Sequence, residues 1–231
     1  MMIAIPLPPP APESLVLCSG GLDSVVLAAY EARERRVQPV YVSAGLWWET
    51  SELETLRRIL RGPAFQPRVR PPVELTFDVR DIYPSTHWAI QGTPPAYDTP
   101  DEEVYLVGRN VTLLSKAAVF AAQRKIRRIA LGPLAGNPFP DATPEFFEAM
   151  ARSLSLGLGQ DLAIVTPFLT LHKADVIKLG HSLGVPLELT LSCMSPTDGL
   201  HCGTCSKCRE RRDAFDEAGV PDKTTYAMPS P

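Results

Sequence analysis

The stretch Leu15-Val16-Leu17-Cys18-Ser19-Gly20-Gly21-Leu22-Asp23-Ser24 decides how this chain folds. Its apolar first half predicts a buried strand, and apolar residues at helical spacing follow Ser24. The two glycines between them let the backbone turn sharply and approach a phosphate closely. The N–H groups at the start of the helix then point at the anion, where the helix dipole favours negative charge. This order of strand, glycine turn and helix predicts a nucleotide-binding loop.

The loop from Ser19 to Ser24, called the glycine loop below, lacks the Gly-Lys-Ser/Thr ending that holds a β,γ-phosphate pair in P-loop proteins. It resembles the PP-loop of the ATP pyrophosphatase superfamily, whose members cleave ATP between its α- and β-phosphates and adenylate an oxygen atom. The resemblance implies that the loop binds the β- and γ-phosphates of ATP and the departing pyrophosphate. Asp23 is also a candidate Mg²⁺ ligand, with a helix cap as its alternative. The alternative for the whole loop is a turn that only joins strand to helix.

The rest of the chain alternates short apolar runs with helical patterns, which predicts an α/β fold with a doubly wound, mostly parallel, Rossmann-like sheet. The PP-loop resemblance implies the adenine nucleotide α-hydrolase-like version of that fold. The predicted strands are Leu15–Cys18, Pro39–Ser43, Val73–Asp78, Arg128–Gly132 and Ala163–Thr166. The predicted helices are Ser24–Arg36, Ser51–Leu60 with a Ser51/Glu54 capping box, Asn110–Arg124, Pro144–Leu154 behind a Thr143 cap, and Lys173–Leu183.

Length and composition favour one main domain. A chain of 231 residues that is 45% apolar buries one sizeable core. We expect a proline-rich arm at 1–13, a nucleotide-binding domain at 14–190 and a zinc-binding segment at 191–231. A net charge of −3 gives no reason to expect nucleic acid as a partner, and no apolar run approaches the roughly 18 residues of a membrane span. Five cysteines without an export signal predict a reducing cytoplasm.

Two irregular stretches are predicted to border the ligand. Residues 81–103 form a long loop with four prolines, and loops of this length often close over a ligand. Residues 133–142 follow the fourth predicted strand. Ligands of open α/β sheets bind at the carboxyl ends of the strands, so this second loop is expected at the substrate.

Four cysteines near the end of the chain have the spacing C-x8-C-x2-C-x2-C: Cys193, Cys202, Cys205 and Cys208. Two residues between thiolates allow a tight turn that brings both sulfurs to one tetrahedral ion. All four positions are filled by protein, which predicts a closed, structural Zn²⁺ site, one per chain. Two disulfides and an iron–sulfur cluster are the alternatives. The fifth cysteine, Cys18, is predicted to be a small core residue.

The glycine loop and the cysteine cluster together resemble the 7-cyano-7-deazaguanine synthase family. Further matches lie between them. Tyr105 with Arg109-Asn110 is similar to the family's Tyr-x-x-x-Arg-Asn segment, and Phe139-Pro140-Asp141 is similar to its Tyr-Pro-Asp segment. The pieces at 144–146, 171–177 and 184–193 also match in order. The resemblance covers about residues 14–216, which is nearly the whole chain.

The resemblance implies an ATP-dependent carbon–nitrogen ligase of queuosine precursor biosynthesis. Its substrates would be 7-carboxy-7-deazaguanine and ammonia, and its product 7-cyano-7-deazaguanine. An adenylated carboxylate and then an adenylated amide would be the intermediates, with AMP and pyrophosphate released. Asp23, Arg109 and Lys173 are the predicted catalytic residues, and family members usually pair as homodimers.

Four side chains besides Asp23 and Lys173 are predicted to serve the substrate: Arg109, Asn110, Asp141 and Trp47. A guanidinium fork binds a phosphate or an acyl-adenylate at two points, which suits Arg109. Lys173 is a further phosphate candidate, Asp141 is expected at Mg²⁺ or a guanine-like edge, and Trp47 is expected to stack on the base. Their alternatives are, for Arg109, a surface ion pair and, for Lys173, a solvated face. For Asp141 the alternative is a turn, and for Trp47 a buried or interface position.

Several positions depart from the family pattern, and they fall at the expected substrate edge. Residues 42–49 replace the usual Ser-Phe-Asp-Tyr-Gly-Gln, residues 140–143 replace Pro-Asp-Cys-Arg, and Leu191 and Met194 stand where aromatic residues are usual. A divergent paralogue that adenylates another carboxylate, or conjugates a deazapurine to another acceptor, is therefore the alternative. A tRNA-modifying relative is a third hypothesis, and a non-catalytic nucleotide-binding or zinc-stapled protein is a fourth.

Overall fold

The computed structural model describes residues 12–229 and residue 231. Residues 1–11 of the predicted proline-rich arm lie outside them, and Glu13 already belongs to the first strand. The five predicted strands are all present: β1 (Glu13–Leu17), β2 (Arg36–Ser43), β3 (Val73–Thr76), β4 (Arg128–Ala130) and β5 (Ala163–Val165). They form one parallel sheet with the order β3-β2-β1-β4-β5. This confirms the predicted doubly wound α/β fold.

The helices are α1 (Leu22–Glu31), α2 (Glu49–Ile59), α3 (Trp88–Gln91), α4 (Arg109–Gln123), α5 (Pro144–Leu158), α6 (Lys173–Ser182) and α7 (Ser206–Ala218). Five of them were predicted, whereas α3 and α7 were not. The predicted capping box of α2 is wrong, because that helix begins two residues earlier than Ser51, with Trp48 at its N-cap. Thr143 does cap α5, and its hydroxyl accepts from the N–H of Phe146 at 3.2 Å.

Helices cover both faces of the sheet, as buried parallel strands require. Val16 of β1 packs in a cluster with α1, α6 and α7, and its neighbours Leu15 and Leu17 pack in a second cluster with α4. α7 belongs to the predicted metal-binding segment, yet its Phe215 lies in the same core cluster as Val16. The segment after residue 190 is therefore packed into the main core.

A third apolar cluster covers the carboxyl edge of the sheet on the side of β2. It joins Trp48 and Leu106 to the four cysteines of the predicted metal site. Ala89 of α3 is fully buried there, so the 81–103 stretch is not the structureless loop that its prolines suggested. Among the described residues, none of the helices is long and apolar enough to span a membrane.

Candidate functional site

A cavity of about 760 Å³ lies at the carboxyl ends of β1, β2 and β4. Strand order reverses between β1 and β4, and the crevice outside such a point is the usual ligand site of open α/β sheets. The cavity wall combines the glycine loop with the starts of α4 and α6, residues 133–139 and one side of α7. The predicted site residues in its lining are Ser19, Gly21, Leu22, Asp23, Ser24, Arg109, Asn110, Asp141, Lys173 and Cys193. Asp23 and Lys173, which lie 150 positions apart in the sequence, therefore meet here.

The glycine loop is held by its own two serines. The hydroxyl of Ser24 donates to the carbonyl of Gly21 at 3.0 Å and accepts from the N–H of Ser19 at 3.1 Å. The N–H of Gly21 donates to the hydroxyl of Ser19 at 3.2 Å. Among the residues that the structure describes, no side chain caps the start of α1, so the N–H groups of its first turn are available to an anion.

Gly20 does not line the cavity, but the loop requires it. Its φ of +85° is left-handed, and an added Cβ would lie 2.7 Å from the carbonyl oxygen of Glu52 in α2. Only glycine combines that conformation with this close approach. The backbone of α2 thus supports the loop from behind.

Asp23 and Lys173 meet in the cavity beside the glycine loop. The Nζ atom of Lys173 lies 3.3 Å from Oδ2 of Asp23 and 2.7 Å from Oε1 of Glu210 in α7. Burial acts to lower the pKa of Lys173, but the two carboxylates outweigh it and raise that pKa above its usual value. Oδ1 of Asp23 is buried and has no hydrogen-bond partner within residues 12–229. Asp23 therefore does not act as a helix cap, and Lys173 does not lie on a solvated face.

Asp141 supports the start of α4 from a distance of 31 residues in sequence. Its Oδ2 accepts from the N–H of Asn110 at 2.8 Å, and its carbonyl accepts from the Asn110 side-chain amide at 2.8 Å. Burial raises the pKa of Asp141. Asp141 and Asn110 thus bind each other, and together they place Arg109 in the cavity wall.

Arg109 is half-buried and lines the cavity. In the part of the chain that the structure describes, its guanidinium makes no hydrogen bond or ion pair, so the alternative of a surface ion pair is absent there. Burial raises the pKa values of Tyr41 and Glu52 on the facing wall, and the positive charge of Arg109 opposes that rise. Arg109 is placed to bind an anion that enters between these walls.

Sequence reasoning missed two buried glutamates on the wall formed by β2 and α2, Glu52 and Glu49. The hydroxyl of Tyr41 donates to Oε2 of Glu52 at 3.0 Å, and Glu52 lines the cavity while being only 8% exposed. Burial raises the pKa of Glu52 to about 7, against the opposing effect of Arg109. Glu49, one turn earlier, instead holds the loop after β2, since it accepts from the N–H groups of Ala44 and Gly45 and from the hydroxyl of Ser43.

We predict that replacing Glu52 by glutamine stabilises the unliganded protein at pH 8. The raised pKa means that the folded protein binds this proton more tightly than the unfolded chain does. The stabilisation present below about pH 4.5 is thus lost as the pH rises to about 7, a difference of about 3 kcal/mol. The measurement is denaturant unfolding of both proteins at pH 5 and pH 8, and the gap in the free energy of unfolding should be several-fold larger at pH 8 than at pH 5. Glu54→Gln, at an exposed position of the same helix, is the control and should show no such gap. A Glu52→Gln protein that is equally stable at pH 8 would contradict the prediction.

The structure does not bring Trp47 to the cavity. Its ring is 58% exposed and packs against Gly92, where an added Cβ would lie 2.3 Å from the indole. The adjacent Trp48 points the other way, lines the cavity and stacks on Trp88 with ring centroids 5.6 Å apart. The cavity is thus lined by Trp48 and Trp88, and not by Trp47.

The four cysteines of the predicted metal site converge. Their Sγ atoms all lie within 4.8 Å of one another, and Cys205 to Cys208 is 3.6 Å. A tetrahedral Zn²⁺ with Zn–S bonds of about 2.3 Å requires sulfurs about 3.8 Å apart. The N–H groups of Ser195 and Cys202 donate to Sγ of Cys193, as they would to a thiolate. The donor set and its spacing therefore fit a metal ion.

Comparisons with known proteins come from sequence and from structure. The model of a family described as queuosine biosynthesis protein QueC matches residues 13–219. A protein of Methanothrix thermoacetophila named 7-cyano-7-deazaguanine synthase is 33% identical over 223 residues, which cover 93% of this chain and 98% of that protein. A protein of the same name from Methanopyrus kandleri is 33% identical over 230 residues, covering 92% and 98%.

A solved chain described as a predicted subunit of tRNA methyltransferase from Methanocaldococcus jannaschii aligns with 94% of this chain, and the alignment covers 93% of that chain. Its sequence identity is 15% and its TM-score is 0.46. This similarity is too distant to indicate a function. The sequence relatives, in contrast, match along nearly the whole chain.

Proposed function

Because the chain belongs to the family of queuosine biosynthesis protein QueC, we propose that it is an enzyme of that pathway, an ATP-dependent carbon–nitrogen ligase. Its substrates are 7-carboxy-7-deazaguanine and ammonia, and its product is 7-cyano-7-deazaguanine. The relatives named 7-cyano-7-deazaguanine synthase support this assignment. The observation that carries it is the junction of the glycine loop, Lys173 and Arg109 in one cavity.

A carboxylate is a poor electrophile, because direct attack would have to expel oxide. Transfer of AMP from ATP to the carboxylate releases pyrophosphate and creates a good leaving group. Ammonia then displaces AMP to give the amide. Adenylation of the amide oxygen and loss of that oxygen with a second AMP give the nitrile. None of these steps needs a nucleophilic side chain, so positioning and charge neutralisation supply most of the catalysis.

The glycine loop is proposed to bind the β- and γ-phosphates. Its serines hold it in shape, and the first turn of α1 offers uncapped N–H groups. Asp23 fits a role as a Mg²⁺ ligand, because its buried Oδ1 lacks a hydrogen-bond partner among the described residues and carboxylate oxygen suits this cation. Mg²⁺ would neutralise charge on the departing pyrophosphate, and Lys173 lies beside it as a second positive charge.

The acceptor is proposed to bind between Arg109 and the aromatic wall. Arg109 would neutralise the carboxylate and then the acyl-adenylate, held in place by the Asn110–Asp141 contacts behind it. Trp48 offers a ring face for the deazapurine, and its stack on Trp88 keeps that face in one orientation. Stacking and charge pairing at two points would orient the reacting carboxylate toward ATP.

The cysteine cluster is proposed to hold one structural Zn²⁺. All four ligands come from protein, so no coordination position is left for substrate. The ion would contribute to folding of the segment after residue 190. We also propose that the protein is a cytoplasmic homodimer whose partners are neither nucleic acid nor membranes.

The decisive experiment incubates the protein with ATP, Mg²⁺, ammonium and 7-carboxy-7-deazaguanine. Mass spectrometry should find the nitrile together with AMP. Arg109→Ala should lower kcat by about 100- to 1,000-fold, since it removes a charge that stabilises the transition state. Arg124→Ala, at the exposed far end of α4, should retain full activity.

Two outcomes would count against the proposal. AMP without nitrile, in the presence of other carboxylates or other acceptors, would favour a divergent paralogue with a different acceptor. No AMP with any acceptor tried would overturn the enzymatic assignment itself.

A further inference from the structure

α7 links the cysteine cluster to the nucleotide end of the cavity. Cys205 is its N-cap residue and Cys208 lies in its first turn, so a metal ion would fix the direction of the helix start. The same helix then runs along the cavity and supplies part of its wall. Its cavity-lining residues are Lys207, Arg209, Glu210, Asp213, Ala214 and Glu217.

Glu210 connects α7 to Lys173, which lies beside the glycine loop. Its Oε1 lies 2.7 Å from Nζ of Lys173, and its Oε2 lies 2.7 Å from Nζ of Lys207. The side chains of Glu210 and Lys173 are 25% and 15% exposed, so this contact is largely withdrawn from water. The other partner of Lys173 is Asp23 in the glycine loop, at 3.3 Å.

We propose that Glu210 is a positioning residue, which holds the ammonium group of Lys173 against the phosphate chain of ATP and so connects the metal-braced helix to the ATP site. The inference rests on the proposed function only in that the cavity binds Mg²⁺ and the phosphates of ATP. It concerns neither the acceptor nor the product. A metal ion in the cysteine cluster would then stabilise more than its own segment, because by fixing α7 it would also fix one end of the phosphate site.

The argument for Glu210 follows from what Asp23 must do when the nucleotide binds. If Asp23 turns to Mg²⁺, Lys173 loses one of its two carboxylate partners. Glu210 remains, comes from a different element and has no other predicted role. A lysine has a long flexible side chain, and ordering it at the moment of binding weakens binding. A lysine already held by Glu210 avoids that loss.

The test uses Mg²⁺ with inorganic pyrophosphate as the probe and the full-length, metal-loaded protein. Calorimetry should show pyrophosphate binding that is about tenfold weaker in Glu210→Gln, the effect of losing one charge-assisted contact. Glu210→Asp keeps the charge and should restore part of the affinity. Asp216→Asn changes an exposed carboxylate of the same helix outside the cavity wall and should bind as the wild type does.

Kinetics give a second readout that a purely structural role would not move. In Glu210→Gln the KM for ATP should rise about tenfold while kcat at saturating ATP changes less, because the residue acts on binding of the phosphates. Metal content and melting temperature are measured on every variant. In a Lys173→Gln background, Glu210→Gln should have no further effect on pyrophosphate binding, since the two residues act as one unit.

Two results would overturn the inference. One is a Glu210→Gln protein that keeps its metal and binds pyrophosphate as tightly as the wild type. The other is an effect of Glu210→Gln that is undiminished in the Lys173→Gln background, which would assign Glu210 to the packing of α7 alone. Failure of the proposed function looks different: pyrophosphate binding and its dependence on Glu210 would remain, while no nitrile would form.

Discussion

Replacing Cys208 by serine is expected to remove the bound metal and to leave the segment after residue 190 unfolded at room temperature. Cys208 is fully buried, and its Sγ lies 3.6 Å from that of Cys205 and 3.9 Å from that of Cys202. Structural Zn²⁺ contributes about 10 kcal/mol or more to the folding of small zinc domains, and three thiolates bind it far less tightly than four. The cluster also lies in the third apolar cluster with Trp48 and Leu106, so its loss opens the cavity wall.

The measurements are metal analysis by mass spectrometry and thermal unfolding with and without a chelator. The wild type should contain one zinc per chain, and chelation should lower its Tm as the serine substitution does. Cys18→Ala is the matched control, because Cys18 is buried in the core away from the cluster and should leave the metal content unchanged. A Cys208→Ser protein with full metal content and an unaltered Tm would contradict the prediction. Iron in place of zinc would favour the cluster alternative.

The sequence predicted best those features that are encoded within a few residues. The glycine loop needs two glycines, two serines and a following helix, and all of them lie between residues 19 and 31. The metal site is nearly as local, because Cys202, Cys205 and Cys208 are separated by single turns and only Cys193 is more distant. Strands that are buried on both faces have continuous apolar runs, so their positions were also predictable.

The choice between Trp47 and Trp48 could not be made from the sequence. Both directly precede α2, and nothing in the local sequence distinguishes them, so either could face the ligand. The outcome depends on Gly92, which contacts Trp47 from 45 residues further along, and on Trp88, which stacks on Trp48 from 40 residues further along. Such a pairing is decided by tertiary packing.

Glu52 and Arg211 left a signal that the sequence analysis did not use. On α2, Glu52, Thr55, Leu56 and Ile59 are all buried and follow the spacing of a helix face, so a carboxylate occupies a position of the buried stripe. On α7, Arg211 lies between Cys208 and Phe215 in the same way, although its neighbours are mostly charged and the helix was not predicted. A charged residue inside a buried stripe must have partners, because an unpaired buried charge is costly.

Replacing Arg211 by methionine is the second change for which we expect a large effect, a loss of about 3–5 kcal/mol in the free energy of unfolding. Arg211 is fully buried. Burial lowers its pKa, but the usual pKa of arginine is so high that the guanidinium stays charged. Its Nη2 donates to the carbonyl of Leu187 at 2.7 Å, and its Nη1 donates to the hydroxyls of Thr190 and Ser192 at 2.9 and 3.1 Å. Methionine fills much of the volume, but it removes the donor to the Thr190 and Ser192 hydroxyls and the cation that lies 4.0 Å from Oδ1 of Asp222.

The partners of Arg211 explain why the effect should reach the metal site. Leu187 to Ser192 lead directly into Cys193, so the guanidinium joins the segment before the first ligand to the helix that carries the last one. Denaturant unfolding of the metal-loaded proteins measures the loss, and metal release to a chelator should accelerate in parallel. Arg212→Met is the matched control, because Arg212 contacts the carbonyl of Gly203 and the ring of Tyr226 from a more exposed position and should cost about 1 kcal/mol. Equal unfolding midpoints for the two variants would show that the buried guanidinium is not what joins α7 to the cavity wall.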